Sequence, residues 1–285
     1  MIRTEALLAA VLLTGLLCRS ARAQVPAAAD ESYEARLTEV KGEVTVFTTD
    51  DPEGVPGEAG LPLESGDRIV TAGGSAEVSL DGVHVISLKA NSDFTLTDTK
   101  KAGTQFSLAL GSLLAKIQKL AEGAALSVRT PTAVCAVRGT EFGVEFAKDE
   151  SEDTHVGVFD EGKVDVTGAD GTAPERLIAS QETRVSRGGR PAAPYQLQRF
   201  VRHRAFMRSF RKRTQLVRKG WKPLPLERRR AVRHEMAVKL RKAKQKLREQ
   251  LKKNDDRRGP KKPKELRSDQ KKMQKRKDAI RNRKR

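Results

Sequence analysis

Few residues in this 285-residue chain have the type and spacing to do chemistry. Cys135 sits in "RTPTAVCAVRGTEFGVEF", residues 129–146, three positions before Arg138. A nucleophilic cysteine needs a thiolate held by a nearby base or a helix N-terminus. "AVCAV" offers an apolar strand instead, so Cys135 is expected to be buried as a small hydrophobe. Its remaining functional use is an intermolecular disulfide in an oxidising compartment. The four histidines, His84, His155, His203 and His234, include no pair at metal-ligand spacing. No G-x-S-x-G elbow, H-E-x-x-H pair or phosphate-binding glycine loop occurs, and "GGSAE" (73–77) reads as a turn. "KDESEDTHV" gathers Asp149, Glu150, Glu152 and Asp153, hard oxygen ligands of the kind calcium takes. It lacks the regular spacing and sharp-turn glycine of a calcium loop, so a solvated hairpin is expected. No catalytic residue, cofactor or metal is expected, and the chain reads as a binding protein.

The stronger chemical signal is charge. Residues 30–190 carry 28 acidic against 16 basic side chains, a net of −12, whereas residues 191–285 carry 8 against 37, a net of +29. A segment of that charge binds polyanions. The candidates are Arg208, Arg211, Lys212, Arg213, Arg228, Arg229, Arg230, Lys261, Lys262, Lys271 and Lys272. Which polyanion depends on compartment. The chain opens "MIRTEALLAAVLLTGLLCRSARAQVP", with Arg3, thirteen apolar or small residues from Ala6 to Cys18, and Ala21-Arg22-Ala23. That pattern predicts a signal peptide over 1–23 and export to the periplasm or cell envelope of a bacterium. The apolar run falls short of the roughly 20 residues a spanning helix needs. Export favours lipopolysaccharide, anionic lipid headgroups or wall polymers as partners over nucleic acid, the default for a cytoplasmic chain. The tail could instead fold against the acidic part of its own chain.

The elements that must position these groups change character near residue 190. After a linker over 24–36, residues 37–190 alternate apolar and polar positions in short runs: Val44 and Val46; Ala76, Val78 and Leu80; Phe106, Leu108 and Leu110; Val164 and Val166. Glycine and acidic turns separate them, with Asp81-Gly82 as a two-residue hairpin turn and Gly162 ending a longer loop. This predicts a mainly β fold of stacked short strands, arranged as a roll, a β-helix-like stack or a sandwich. "LLAKIQKLAE" (113–122) is read as strand. Phe142, Val144 and Phe146 share one face while Glu141 and Glu145 point away, so that strand is half-buried. Val134 to Val137 are apolar on both faces, as in a covered strand. Gly139 stands at the change, where a bulge or bend is expected. Arg138 beside it must reach water or a partner, and bonding to a neighbouring turn is the preferred reading.

Residues 191–253 read as a basic helical segment. Leu197, Phe200, Val201, Met207, Phe210 and Val217 recur at helical spacing. Gly220, Pro223 and Pro225 break that helix, and a second follows with a seam of Val232, Met236, Leu240, Ala243, Leu247 and Leu251. Two antiparallel helices packed seam to seam are expected. Residues 254–285 have almost no apolar content and are expected to be disordered.

The ordered elements of the β part resemble the FecR domain of bacterial envelope proteins. The resemblance rests on Gly66 and Asp67 before "RIVT", Asp81 and Gly82, Gly111, the segment from Thr130 and Pro131 through Arg138, Gly139, Thr140 and Phe142, and Glu161-Gly162 before Val164. It implies a compact β-domain outside the cytoplasm that contacts other proteins. Well-known members pass signals through the inner membrane to a sigma factor. The expected function is an exported, non-enzymatic envelope protein, its β-domain a protein- or ligand-binding module and its tail a tether. The alternatives are a periplasmic signalling regulator acting through a separate membrane-bound partner, and a nucleic-acid-binding protein.

Overall fold

The computed structural model describes residues 31–49, 51–147 and 152–258. The leader, Asp149, Glu150 and Lys261, Lys262, Lys271 and Lys272 lie outside the described residues. In chain order the strands are β1 (Ala35–Lys41), β2 (Val44–Thr48), β3 (Asp51–Pro56), β4 (Pro62–Leu63), β5 (Arg68–Thr71), β6 (Ser75–Leu80), β7 (His84–Leu88), β8 (Ser92–Asp98) and β9 (Gly103–Ile117). There follow β10 (Ala125–Arg129), β11 (Ala133–Val137), β12 (Thr140–Phe146), β13 (Thr154–Val158), β14 (Val164–Gly168), β15 (Glu175–Leu177), β16 (Gln181–Val185) and β17 (Tyr195–Gln196). A 3₁₀ turn (Arg199–His203) leads into α1 (Arg204–Gly220), and α2 (Leu226–Arg258) ends the described chain.

Two sheets share one long strand. Sheet I runs β4-β1-β6-β7-β9-β12-β13-β16-β17. Sheet II runs β3-β2-β5-β8-β9-β10-β11-β14-β15, and its β9–β10 pair is parallel. The first half of β9 pairs with β8 and β10, and the half after Gly111 pairs with β12 and β7. Gly111 makes the crossing at φ +95°, and a Cβ there would lie 2.4 Å from Ser92 Cα. Leu37, Val78, Ile86, Leu113 and Phe142 of sheet I meet Val46, Ile69, Phe94, Phe106 and Val166 of sheet II in one buried cluster. The architecture is therefore the sandwich among the expected arrangements, with "LLAKI" inside β9.

Most local features follow the expected chemistry, but β11 is not covered on both faces, since Val134 is half-buried and Ala136 exposed. Asp81 and Gly82 both take positive φ, +50° and +69°, and Val83 N–H donates to Leu80 C=O to close the turn. Gly139, at φ +126°, lets the chain pass so close that a Cβ would lie 2.7 Å from Lys119 Cα. Thr130 and Thr132 of the signature segment both hydrogen-bond the buried Thr154 hydroxyl, at 2.7 and 2.6 Å, and tie β11 to β13. Cys135 is fully buried and burial pushes its thiol up to about 12, so it fills core. Arg138 does not bond a turn: it is exposed, without a side-chain hydrogen bond, and only its charge reaches Asp165. Strand pairing also extends past both expected ends of the β part. Ser32 bridges Lys100, β1 begins at Ala35, and β17 pairs with β16.

The helices do not pack seam to seam as expected. Met207 and Phe210 of α1, with Leu197 and Phe200, cover Val85, Leu114 and Phe159 on the outer face of sheet I. In α2, Met236, Ala237 and Leu240 close the main core where the sandwich gapes between β3 and β4. The acidic sandwich offers each basic amphipathic helix both apolar area and counter-charge, whereas two such helices would repel one another. Val201 is half exposed, and Ala243 and Leu247 of the seam face solvent, Leu247 at 57% exposed.

His84 illustrates how tightly the covered edge is built. Its ring is buried, Nδ1 accepts from Gln118 N–H at 3.1 Å, and Nε2 lies 3.2 Å from the Tyr33 hydroxyl. Burial lowers its pKa to about 4, and protonating Nδ1 would abolish its acceptor role. Below the unfolded value of 6.5 the unfolded chain binds the proton more readily, so stability is lost as pH falls from 6.5 toward 4. Denaturant titrations of wild type and His84→Gln at pH 7 and 4.5 are expected to show an extra loss of about 2–3 kcal/mol in wild type. Taking the difference removes the other titrating groups, and equal losses in both proteins would refute this role for His84.

Candidate functional site

The parity that sends Phe142 and Val144 inward sends Glu141 and Glu145 outward, and the same alternation puts Glu77 and Glu182 on the outer face of sheet I. A bulge between Leu37 and Glu39 turns Glu39 to that face opposite Glu77. Three of these carboxylates are shut off from water, and Glu39 and Glu145 are partly so. Glu141 has no exposed surface, Glu182 is 1% exposed and Glu77 4%. Isolated buried carboxylates are costly, so cations must reach them. Arg211 of α1 grips Glu141 through Nε and Nη2 and extends from Nη2 to Asp160, while Lys116 meets Glu141 from the sheet at 2.6 Å. Arg213 spans Glu39 and Glu77. Burial opposes ionisation of Glu39, yet Arg213 and Lys41 hold its pKa below the usual value; burial pushes Glu77 up to about 7. Arg199 and Arg202 share Glu145 and overcome its burial to lower its pKa. Glu182 accepts the backbone N–H groups of Arg199 and Phe200 at 3.1 and 3.4 Å, capping the 3₁₀ turn.

Two glycines make the apolar seat for this cover. Gly143 and Gly157 are register partners on β12 and β13, and a Cβ on either would lie 2.5–2.6 Å from the Phe200 ring. Phe200 drops into the gap they leave. Sequence reasoning missed this pair, although a glycine at an outward position in each of two adjacent apolar strands, "FGV" and "VGV", is the signal that marks it.

The cover continues past α1. Trp221 lies over the β6–β7 turn, where a Cβ on Gly82 would meet it at 2.5 Å, and Arg36 stacks 4.4 Å from its ring. Leu224 N–H donates to Glu34 at 2.9 Å. From α2, Arg233 makes a bidentate pair with the fully buried Asp67, whose carboxylate also accepts Glu64 N–H at 2.9 Å. Arg241 binds Asp51, and Lys244 donates to the carbonyls of Glu53 and Gly54 on edge strand β3.

The polyanion candidates thus divide. Arg211 and Arg213 are engaged inside the chain, and Arg230 lies 4.0 Å from Glu64. Arg229 is half-buried, and Arg208, Lys212 and Arg228 are exposed. Of the signature residues, Asp67 anchors α2, Gly82 seats Trp221, Thr130 and Phe142 are buried, and Pro131 is exposed. A Cβ on Gly162, at φ +96°, would lie 2.4 Å from Thr140 Oγ1. Gly66 turns the chain at φ +92° ahead of Asp67.

One concavity stands beside the cover. A cavity of about 440 Å³ opens at the β9 bend between Lys89, Leu110, Ser112, Phe146, Arg202 and His203. Burial lowers the Lys89 pKa to about 8. Among the described residues no group of three or more His, Cys, Asp or Glu side chains is arranged to hold a metal ion.

Residues 67–165 match the family model described as FecR protein. The chain carries a FecR domain. The matched span starts at the Asp67 that Arg233 holds and ends in β14, so β1–β4, β15–β17 and both helices are built around it. Two crystal structures of a candidate anti-sigma factor from Parabacteroides distasonis ATCC 8503, at 1.65 and 2.50 Å, are each 24% identical to the chain with a TM-score of 0.39. Each match covers 46% of this chain and 59% of the other. No curated protein matches the chain.

Arg233→Ala would leave the Asp67 carboxylate buried and unpaired. It is expected to lower the unfolding free energy by about 3–5 kcal/mol in denaturant titration, the range for breaking a buried pair. Arg208→Ala, at an exposed position, is expected to change it by less than about 0.5 kcal/mol.

Proposed function

We propose that this protein is an exported, non-enzymatic regulator of the bacterial cell envelope, acting by protein contact through its FecR domain. The observation that carries this reading is the FecR match itself, on a sandwich whose outer acidic face is covered by its own basic helices. A cover held chiefly by ion pairs and one aromatic seat is a surface whose availability a partner can change. The N-terminal apolar segment supports export, no described helix is long and apolar enough to cross a membrane, and in this reading a separate membrane-bound partner carries the signal inward. Deleting the gene is expected to alter transcript levels of a defined gene set, with the full chain restoring them and a version lacking residues 2–23 failing to. Unchanged transcripts would refute regulation, and rescue by the leaderless chain would refute export.

A tethering role is favoured by a separate observation. Lys242, Lys246, Arg248, Lys252 and Lys253 are exposed on the second half of α2, and none has an acidic partner among the described residues. Such cations bind anionic headgroups at about 1 kcal/mol each near a surface. The full chain is expected to cosediment with phosphatidylglycerol vesicles and not with phosphatidylcholine vesicles, with salt releasing it. Charge reversal at Lys242, Lys246 and Arg248 should weaken binding at least tenfold, and unchanged binding would refute the tether.

A further inference from the structure

The cavity at the β9 bend has a composition that neither the fold nor the helical cover explains. Its walls are mainly apolar: Leu110, 38% exposed, with Phe146 and Ala147 at the end of β12. A leucine so placed would gain by being covered. Its rim carries a cation without a counter-ion. Lys89 is half-buried, its Nζ stands 3.2 Å from the Phe206 ring centroid, and no carboxylate lies within ion-pair reach among the described residues. Other buried charges are compensated: Glu141 by Arg211, Glu77 by Arg213 and Asp67 by Arg233, while Glu182 accepts two backbone N–H groups. Ser112, in the same wall, has a buried hydroxyl with no hydrogen-bond partner.

The rest of the rim narrows what would fit. Arg202 is spent on Glu145 and on His203 Nε2, so Lys89 is the cation left to receive a ligand. Glu145 lines the same cavity but is paired with Arg199 and Arg202, and a single remaining cation, Lys89, would leave the second charge of a doubly charged head unpaired. A volume of about 440 Å³ lies in the range of small-molecule sites, roughly 300–1,000 Å³. We infer that this cavity binds a small amphiphile bearing one carboxylate, its apolar tail against Leu110 and Phe146 and its head on Lys89. The binding is non-covalent and independent of the regulatory reading, because it is measured on the purified chain.

The test titrates the full chain with sodium octanoate, 1-octanol and octyl phosphate, following binding by calorimetry and by methyl NMR of Leu110 and the other leucines. Saturable octanoate binding with shifts centred on Leu110 is expected, with 1-octanol and octyl phosphate at least tenfold weaker. Lys89→Gln should weaken octanoate at least tenfold while leaving any 1-octanol binding unchanged. Leu110→Asp, at a position 38% exposed, provides a second variant and should abolish binding while its circular-dichroism spectrum and melting transition stay those of a folded protein. Absence of saturable binding would overturn the proposal, as would equal affinity for octanoate and 1-octanol or unchanged affinity in both variants. Binding only of peptides ending in an apolar residue with a free carboxylate would also overturn it, by assigning the cavity to a protein partner.

Discussion

A carboxylate with no contact with water, on the outside of a β-sheet, requires a cation brought to it by something else. Glu141 is that group, and Arg211 and Lys116 are the cations. Much of the C-terminal architecture follows from this requirement and its repetition at Glu39, Glu77 and Glu145. The ion pairs do not make burial free, because desolvation cancels much of the Coulombic gain. They make the position of α1 specific, since sliding the helix by one turn would leave several carboxylates buried and unpaired. The apolar seat for Phe200 between Gly143 and Gly157 adds the hydrophobic stabilisation that ion pairs alone do not supply.

The same logic closes the open edge of the sandwich. Strands β3 and β4 end their sheets, and unpaired edge groups invite pairing with other chains. Helix α2 lies against both, Lys244 occupies carbonyls of β3, and Arg233 reaches into the core to Asp67. A buried bidentate pair there fixes the helix against the first residue of the FecR match. The basic segment therefore has two physical roles along its length. Its first part completes the fold, and its distal part carries exposed cations that have no acidic partner among the described residues.

Much of this was legible residue by residue. The period-two runs identified the strands, Asp81-Gly82 identified a turn with two positive φ values, and Gly139 marked a bend where backbones nearly touch. Cys135 was readable as core, but the covering of "AVCAV" on both faces was not correct: Val134 is half-buried and Ala136 exposed, so the strand buries one face. The outward direction of Glu141 and Glu145 was equally clear, yet outward did not mean exposed. Their partners come from 70 and 54 positions away in the chain, beyond the reach of any local pattern. Arg138 failed in the opposite direction: a charge beside a covered strand suggested a structural bond, but the bend at Gly139 turns it to solvent.

The sequence by itself determined the β character of residues 37–190, the helices on either side of the proline break, the opposite charge of the two halves and the membership of residues 67–165 in the FecR family. These are properties of local spacing and composition, which a chain carries whatever its tertiary arrangement. Only the tertiary structure decided that β9 crosses between two sheets, that the helices pack on the sandwich instead of on each other, and which arginines are engaged. Those outcomes depend on which distant surfaces meet. Burial of a charge is decided there, by the cation and apolar area that arrive from elsewhere in the fold.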